Sequence, residues 1–180
     1  MIEALWQARG TEGMWLDFVE ALSESPAFRE FHAALYRYYL LCCREIWDLL
    51  VVEWSRLGVE LAEQYLAGEV NREGLDEADW LAEGGFFAVI HNTDPDSMDR
   101  WLAEIRAIPE GKLRAMLHPP ETSGRLGERD LLEWAARFAG WAVCFPKCPY
   151  KNLPSESFAP FLSAEILRAV FDDPFGKRHQ

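Results

Sequence analysis

No stretch of this chain is long and apolar enough to span a bilayer, and its first residues lack the basic-then-apolar pattern of a secretory signal. The expected compartment is therefore the cytoplasm, where thiols stay reduced. Cysteine is scarce: Cys42, Cys43, Cys144 and Cys148 are all there is. Cys42 and Cys43 are adjacent, and on a helix they point about 100° apart, a poor geometry for bonding each other. Basic residues are also short, with 18 Lys and Arg against 30 Asp and Glu for a net charge of −12. Such a surface repels phosphate backbones and anionic lipid, which excludes nucleic acid and membrane surfaces as favoured partners. No Gly-rich phosphate loop exists, because Gly84-Gly85 has neither a following Lys nor a strand before it. Nucleic-acid modules, internal repeats, Gly/Ser linkers and alternating strand patterns are missing as well.

What is present is apolar and aromatic. The chain has 180 residues, 49% hydrophobic, with 8 Trp, 11 Phe and 5 Tyr. A chain of this size buries roughly 70% of its unfolded surface, so it needs neither metal nor disulfide to fold. Length favours one domain over residues 1–180.

The strongest local signal follows Ser25-Pro26, an N-cap oxygen and a residue pre-set for the first helical position. Phe28, Phe31, Leu35, Tyr38, Cys42, Ile46 and Leu49 then recur at spacings of three and four, with no Gly or Pro before Gly58. This predicts one long central amphipathic helix as a scaffold, against which other helices must pack. Trp54, Leu57, Leu61 and Tyr65 continue the pattern to a C-cap at Gly68. Short helices are expected over 2–9 and 12–22. Asn71 caps a helix carrying Leu75, Trp80 and Leu81, which Gly84-Gly85 interrupts. Phe86 to Ile90 reads equally as buried helix or strand. Asp94-Pro95 opens a helix through Ile105, Leu131 to Trp141 form another, and the last runs from about Ser163 to Val170. Residues 109–127, with three Pro and three Gly, predict a long connection, either ordered for a reason or mobile, with one turn near Leu113 to Leu117. The fold class is all-α, a multi-helix bundle.

Two stretches resemble an uncharacterised bacterial helical family. Leu40-Leu41-Cys42-Cys43-Arg44-Glu45-Ile46-Trp47, with Ser55-Arg56 and Val59 to Tyr65, is similar to its Cys-Cys-Arg-Arg-x-Trp helix and the Ser-Arg…Val-Glu-x-Ala-Glu-x-Tyr helix that follows. The tail from Ile166 to Gly176 resembles the family's closing Phe-Gly-Asn-Pro-Phe-Arg-Pro motif. Glu45 stands where a second Arg is usual, Asp172 and Asp173 where Gly-Asn is usual, and the final Arg-Pro is missing. The resemblance implies a helical fold and no mechanism.

Several constellations are candidates for function. Residues 61–100 hold ten acids against two bases. Asp76, Glu77, Asp79, Asp94, Asp96 and Asp99 there form either a solvated face or a docking surface for a basic protein, with a decoy of nucleic acid as the alternative. Cys144 and Cys148 have a Cys-x₃-Cys spacing, but zinc needs four soft ligands, and adjacent Cys42 and Cys43 make a poor second pair. The expectation is inert thiols, with no metal and no cofactor. A thiol nucleophile would need Cys148 or Cys144 beside His118 and a third group to orient the ring. No local signature marks such a site. The eight Trp exceed what one helical domain usually needs, so any left exposed are candidate interface anchors. These readings favour a non-enzymatic module that binds another protein, of accessory, regulatory or immunity type. A thiol-dependent enzyme using Cys148 or Cys144 with His118 is the alternative.

Overall fold

The structure is a computed structural model, and it describes residues 28–118, 126–147 and 156–171. The expected helices over 2–9 and 12–22, the Ser25-Pro26 start, Cys148 and the tail motif beyond Phe171 lie outside those residues. The described residues form seven α-helices: α1 (Phe28–Glu45), α2 (Glu53–Leu66), α3 (Arg72–Ile90), α4 (Pro95–Ala107), α5 (Glu110–Met116), α6 (Glu128–Cys144) and α7 (Ala164–Phe171). Single 3₁₀ segments, Trp47–Leu49 and Glu156–Phe161, link α1 to α2 and precede α7. The chain is an all-α, multi-helix bundle.

The helix opening the bundle stops sooner than its stripe predicts. It ends at Glu45, a 3₁₀ turn follows over Trp47–Leu49, and the backbone is extended at Val52, with φ −83° and ψ 119°. Burial explains the break. Leu49, Leu50, Val51 and Val52 are all buried. Four consecutive residues on a helix sweep about 300° of its circumference, so no helix on a bundle surface can bury them all. A tight turn followed by non-helical chain can. The helix at the middle of the described bundle is α6, against which α1, α2, α3, α4 and both 3₁₀ segments pack. Leu131, Leu132, Ala135, Phe138, Ala139, Ala142 and Val143 on α6 are buried in one core with Leu35, Tyr39 and Cys42 of α1 and Leu167 of α7.

The Gly84-Gly85 pair does not interrupt α3. Helix runs unbroken through Phe86 to Ile90, which settles that segment as helix. The glycines serve packing, since α2 and α3 make the most extensive helix pair in the fold. A Cβ on Gly85 would lie 2.9 Å from the Ser55 amide nitrogen, and one on Gly58 only 2.8 Å from the Ala78 carbonyl oxygen. Small residues at Ser55, Gly58, Ala78, Ala82 and Gly85 let the two backbones approach this closely.

Caps fall where the side chains place them. The Asn71 side-chain oxygen accepts from the amides of Glu73 (3.0 Å) and Gly74 (3.2 Å). Asp94 accepts from the Asp96 amide at 3.2 Å and from the Ser97 hydroxyl at 2.6 Å. Gly68 takes φ +77°, a left-handed conformation after α2 that glycine adopts without strain. The Asn71→Ala variant is expected to lose about 1 kcal/mol, read as a lower urea midpoint with an unchanged slope. Within 109–127, residues Glu110–Met116 form two turns rather than one. Pro109 ends α4 and precedes this helix, where its missing N–H is not needed.

Candidate functional site

The faces of α3 have separate tasks. Leu75, Ala78, Ala82, Gly85 and Val89 are buried, which turns Trp80, Gly84, Phe87 and His91 outward at spacings of four, three and four. Trp80, read from sequence as companion to Leu75, is instead 65% exposed, and Phe87 is 44% exposed. On the adjoining α2, Trp54 and Leu57 are 46% and 39% exposed. These four are the large apolar side chains that the described residues leave in water, and they cluster on one side of the bundle. The Trp54 and Trp80 rings lie 6.1 Å apart. Phe87 stacks on His91 at 5.6 Å. Gly84 carries no side chain between Trp80 and Phe87, and the Trp54 ring edge fills that space, 3.1 Å from where a Cβ would lie. A contiguous exposed apolar patch of this kind marks interaction sites, whereas single exposed apolar residues do not.

The six acids singled out from sequence are not equivalent. Asp76 and Asp79 both accept from the Lys147 ammonium, at 2.7 and 2.8 Å, so α3 is clamped to the chain leaving α6. Burial works against the Lys147 charge, yet the two carboxylates outweigh it and hold its pKa above the usual lysine value. The bond from Lys147 likewise holds the Asp76 carboxyl below the usual carboxylate range. Asp94 is occupied in capping, and the Ser97 hydroxyl lowers its pKa too. Glu77, Asp96 and Asp99 face solvent. Of these six acids, three thus have structural tasks and the other three carry exposed charge.

On the other flank of α3 a cleft of about 290 Å³ is lined by Asp79, Glu83, Phe86, Arg137, Gly140, Trp141 and Cys144. The Arg137 guanidinium covers the Phe86 ring at 5.3 Å. Among the described residues His118 is not brought to Cys144. Its Nε2 lies 3.2 Å from Glu45 Oε2, at the end of α1, and its amide donates to the Pro160 carbonyl at 2.8 Å. Cys144 instead lies beside Val143, whose carbonyl accepts from the Tyr36 hydroxyl at 3.3 Å. Tyr36 and Glu45 are nine residues apart on α1, or about 13 Å of helical rise. No three His, Cys, Asp or Glu side chains gather to hold a metal ion among the described residues.

Cys42 and Cys43 are fully buried on α1. Burial pushes the Cys42 thiol up to about 12 and the Cys43 thiol well above its ordinary value. Thiolate is the reactive form, so neither should label with a water-soluble disulfide reagent in the native protein, while unfolding should expose both. Rapid native labelling at either position would contradict this placement. The Cys-Cys-Arg-x-x-Trp stretch also has a packing meaning. Arg44 bonds Glu63 of α2 through two nitrogens and covers the Trp47 ring at 4.0 Å, tying the end of α1 to α2.

Two signals for the aromatic face were in the sequence, though neither sufficed alone. Ala78, Ala82 and Gly85 share a face by spacing, and Trp80 stands opposite it. Only the packing of α2 on those small residues shows that they, and not the tryptophan, take the inside. Comparison of the chain with protein-family models, with curated proteins and with solved structures gave no match. Among the described residues, no helix is long and apolar enough to cross a membrane.

Proposed function

We propose that this chain is a non-enzymatic helical module that acts by binding another protein through the outer face of α2 and α3. One observation carries the reading: Trp54, Leu57, Trp80 and Phe87 are exposed together on that face. Tryptophan anchors dominate interface energetics when a partner desolvates them, and leaving four large apolar groups in water has no benefit to folding. The thiol-enzyme reading draws no support from the described geometry, since His118 is engaged with Glu45 and not with Cys144. A nucleic-acid decoy needs free, regularly spaced charge, and Asp76, Asp79 and Asp94 are committed to other tasks.

Affinity capture from a lysate of the source cells, with wild type and a Trp80→Ala/Phe87→Ala variant, tests the proposal. The wild type is expected to recover one partner protein in stoichiometric amount. The variant should lose it, each anchor contributing about 2 kcal/mol to binding. Both side chains are well exposed, so the variant's unfolding midpoint should match the wild type. An identical set of captured proteins for the two would defeat the proposal.

A further inference from the structure

We infer that the occupant of this face is a single basic amphipathic helix, a deepening that rests on the docking reading above. The shape of the face supports it. Trp80, Gly84, Phe87 and His91 form one row along α3, and from Trp80 to His91 the row spans about 16 Å, or three helical turns. Trp54 and Leu57 of α2 lie beside it. The Trp54 and Trp80 rings lie 6.1 Å apart, and the Trp54 ring edge covers Gly84, so the apolar surface continues from α2 onto the α3 row. An amphipathic helix lays its apolar residues along such a row at spacings of three and four.

Charge decides the partner's other face. Glu73, Glu77 and Glu83 are exposed on α3. On a 100° helical step they lie within about 60° of Trp80, and so border the aromatic row. None of the three forms an ion pair with a described residue. A second copy of this chain is disfavoured there, because a two-fold contact would set these acids against the same acids. An anionic lipid surface meets the same repulsion. Lysine or arginine flanking an apolar stripe meets complementary charge on this rim and steers the helix into place.

The test uses two designed helical peptides lacking tryptophan, one of Leu and Lys and one of Leu and Glu in the same pattern, titrated against the intrinsic tryptophan emission of the full chain. The Leu/Lys peptide is expected to bind and to weaken as salt rises. It should also bind about tenfold or more weakly to Trp80→Ala. The Leu/Glu peptide should not bind. A Glu73→Lys/Glu77→Lys/Glu83→Lys variant should reverse that preference. Equal affinity of the Leu/Lys peptide for wild type and Trp80→Ala, or an unreversed preference in the charge-swapped variant, would overturn the inference. So would a concentration-dependent dimer in sedimentation that Trp80→Ala abolishes. If the peptide fails while the captured cellular partner still depends on Trp80 and Phe87, the basic-helix chemistry falls and the docking reading stands. If both fail, both fall.

Discussion

Replacing Phe138 by alanine is expected to destabilise the protein by about 3–5 kcal/mol, the range for removing a large aromatic from a packed core. Phe138 is fully buried on α6, the helix that most others touch. Its ring sits 5.5 Å from Phe158, 5.8 Å from Phe161 and 6.0 Å from Trp141, measured between centroids. Those neighbours are held by contacts of their own. Trp141 packs edge-on to Tyr39 at 4.5 Å and lies 5.6 Å from Phe158. The cavity therefore cannot close by a simple shift of one side chain, which places the cost high in the range. Whole-domain stabilities are about 5–15 kcal/mol, so this one change removes about a fifth or more of the total. For a chain of this length the melting temperature should fall by about 10 °C, measured by circular dichroism. A loss below about 1 kcal/mol would mean that Phe158, Phe161 and Trp141 repack into the space, contrary to their being held by contacts of their own.

The adjacent glycines of α3 should respond in opposite directions. Gly85→Val is expected to cost about 3 kcal/mol or more, because its side chain must enter the contact between α3 and the backbone of α2. The Ser55 amide lies 2.9 Å from the first added carbon, and backbone cannot yield there without separating the two helices. Gly84→Ala has a different neighbour, the Trp54 ring edge at 3.1 Å. That ring is 46% exposed and has room to move a few tenths of an ångström. Alanine also gains up to about 1 kcal/mol of helix propensity over glycine. Gly84→Ala should therefore be neutral or slightly stabilising. Paired urea titrations read both effects. Destabilisation by both to the same extent would show that the two glycines share a backbone role, and the close approach of α2 and α3 would no longer explain Gly85.

These variants separate what local pattern encodes from what packing adds. Asn71 and Asp94 cap helices where their side chains can bond the first free amides, and Gly68 takes its positive φ where α2 ends. Each is a matter of a few neighbouring residues, so each was legible. The apolar stripe of α1 was legible too, through Leu35, Tyr38 and Cys42, all buried. The candidate site was less so. A surplus of tryptophan pointed to interface anchors, but spacing alone did not say which of the eight would be exposed.

The sequence by itself determined an all-α bundle, its principal caps, and the inward stripe of its first described helix, because those follow from side-chain period and short-range hydrogen bonding. Only the tertiary structure decided that α1 stops at Glu45, that α3 runs through Gly84-Gly85, and that Lys147 binds Asp76 and Asp79. It also decided that Trp80 and Phe87 face outward. The physical reason is common to all four. A glycine, a run of apolar residues or a lone lysine is compatible with several local conformations and faces. The choice among them is made by the surface that packs against it, and here that surface comes from another helix distant in the chain.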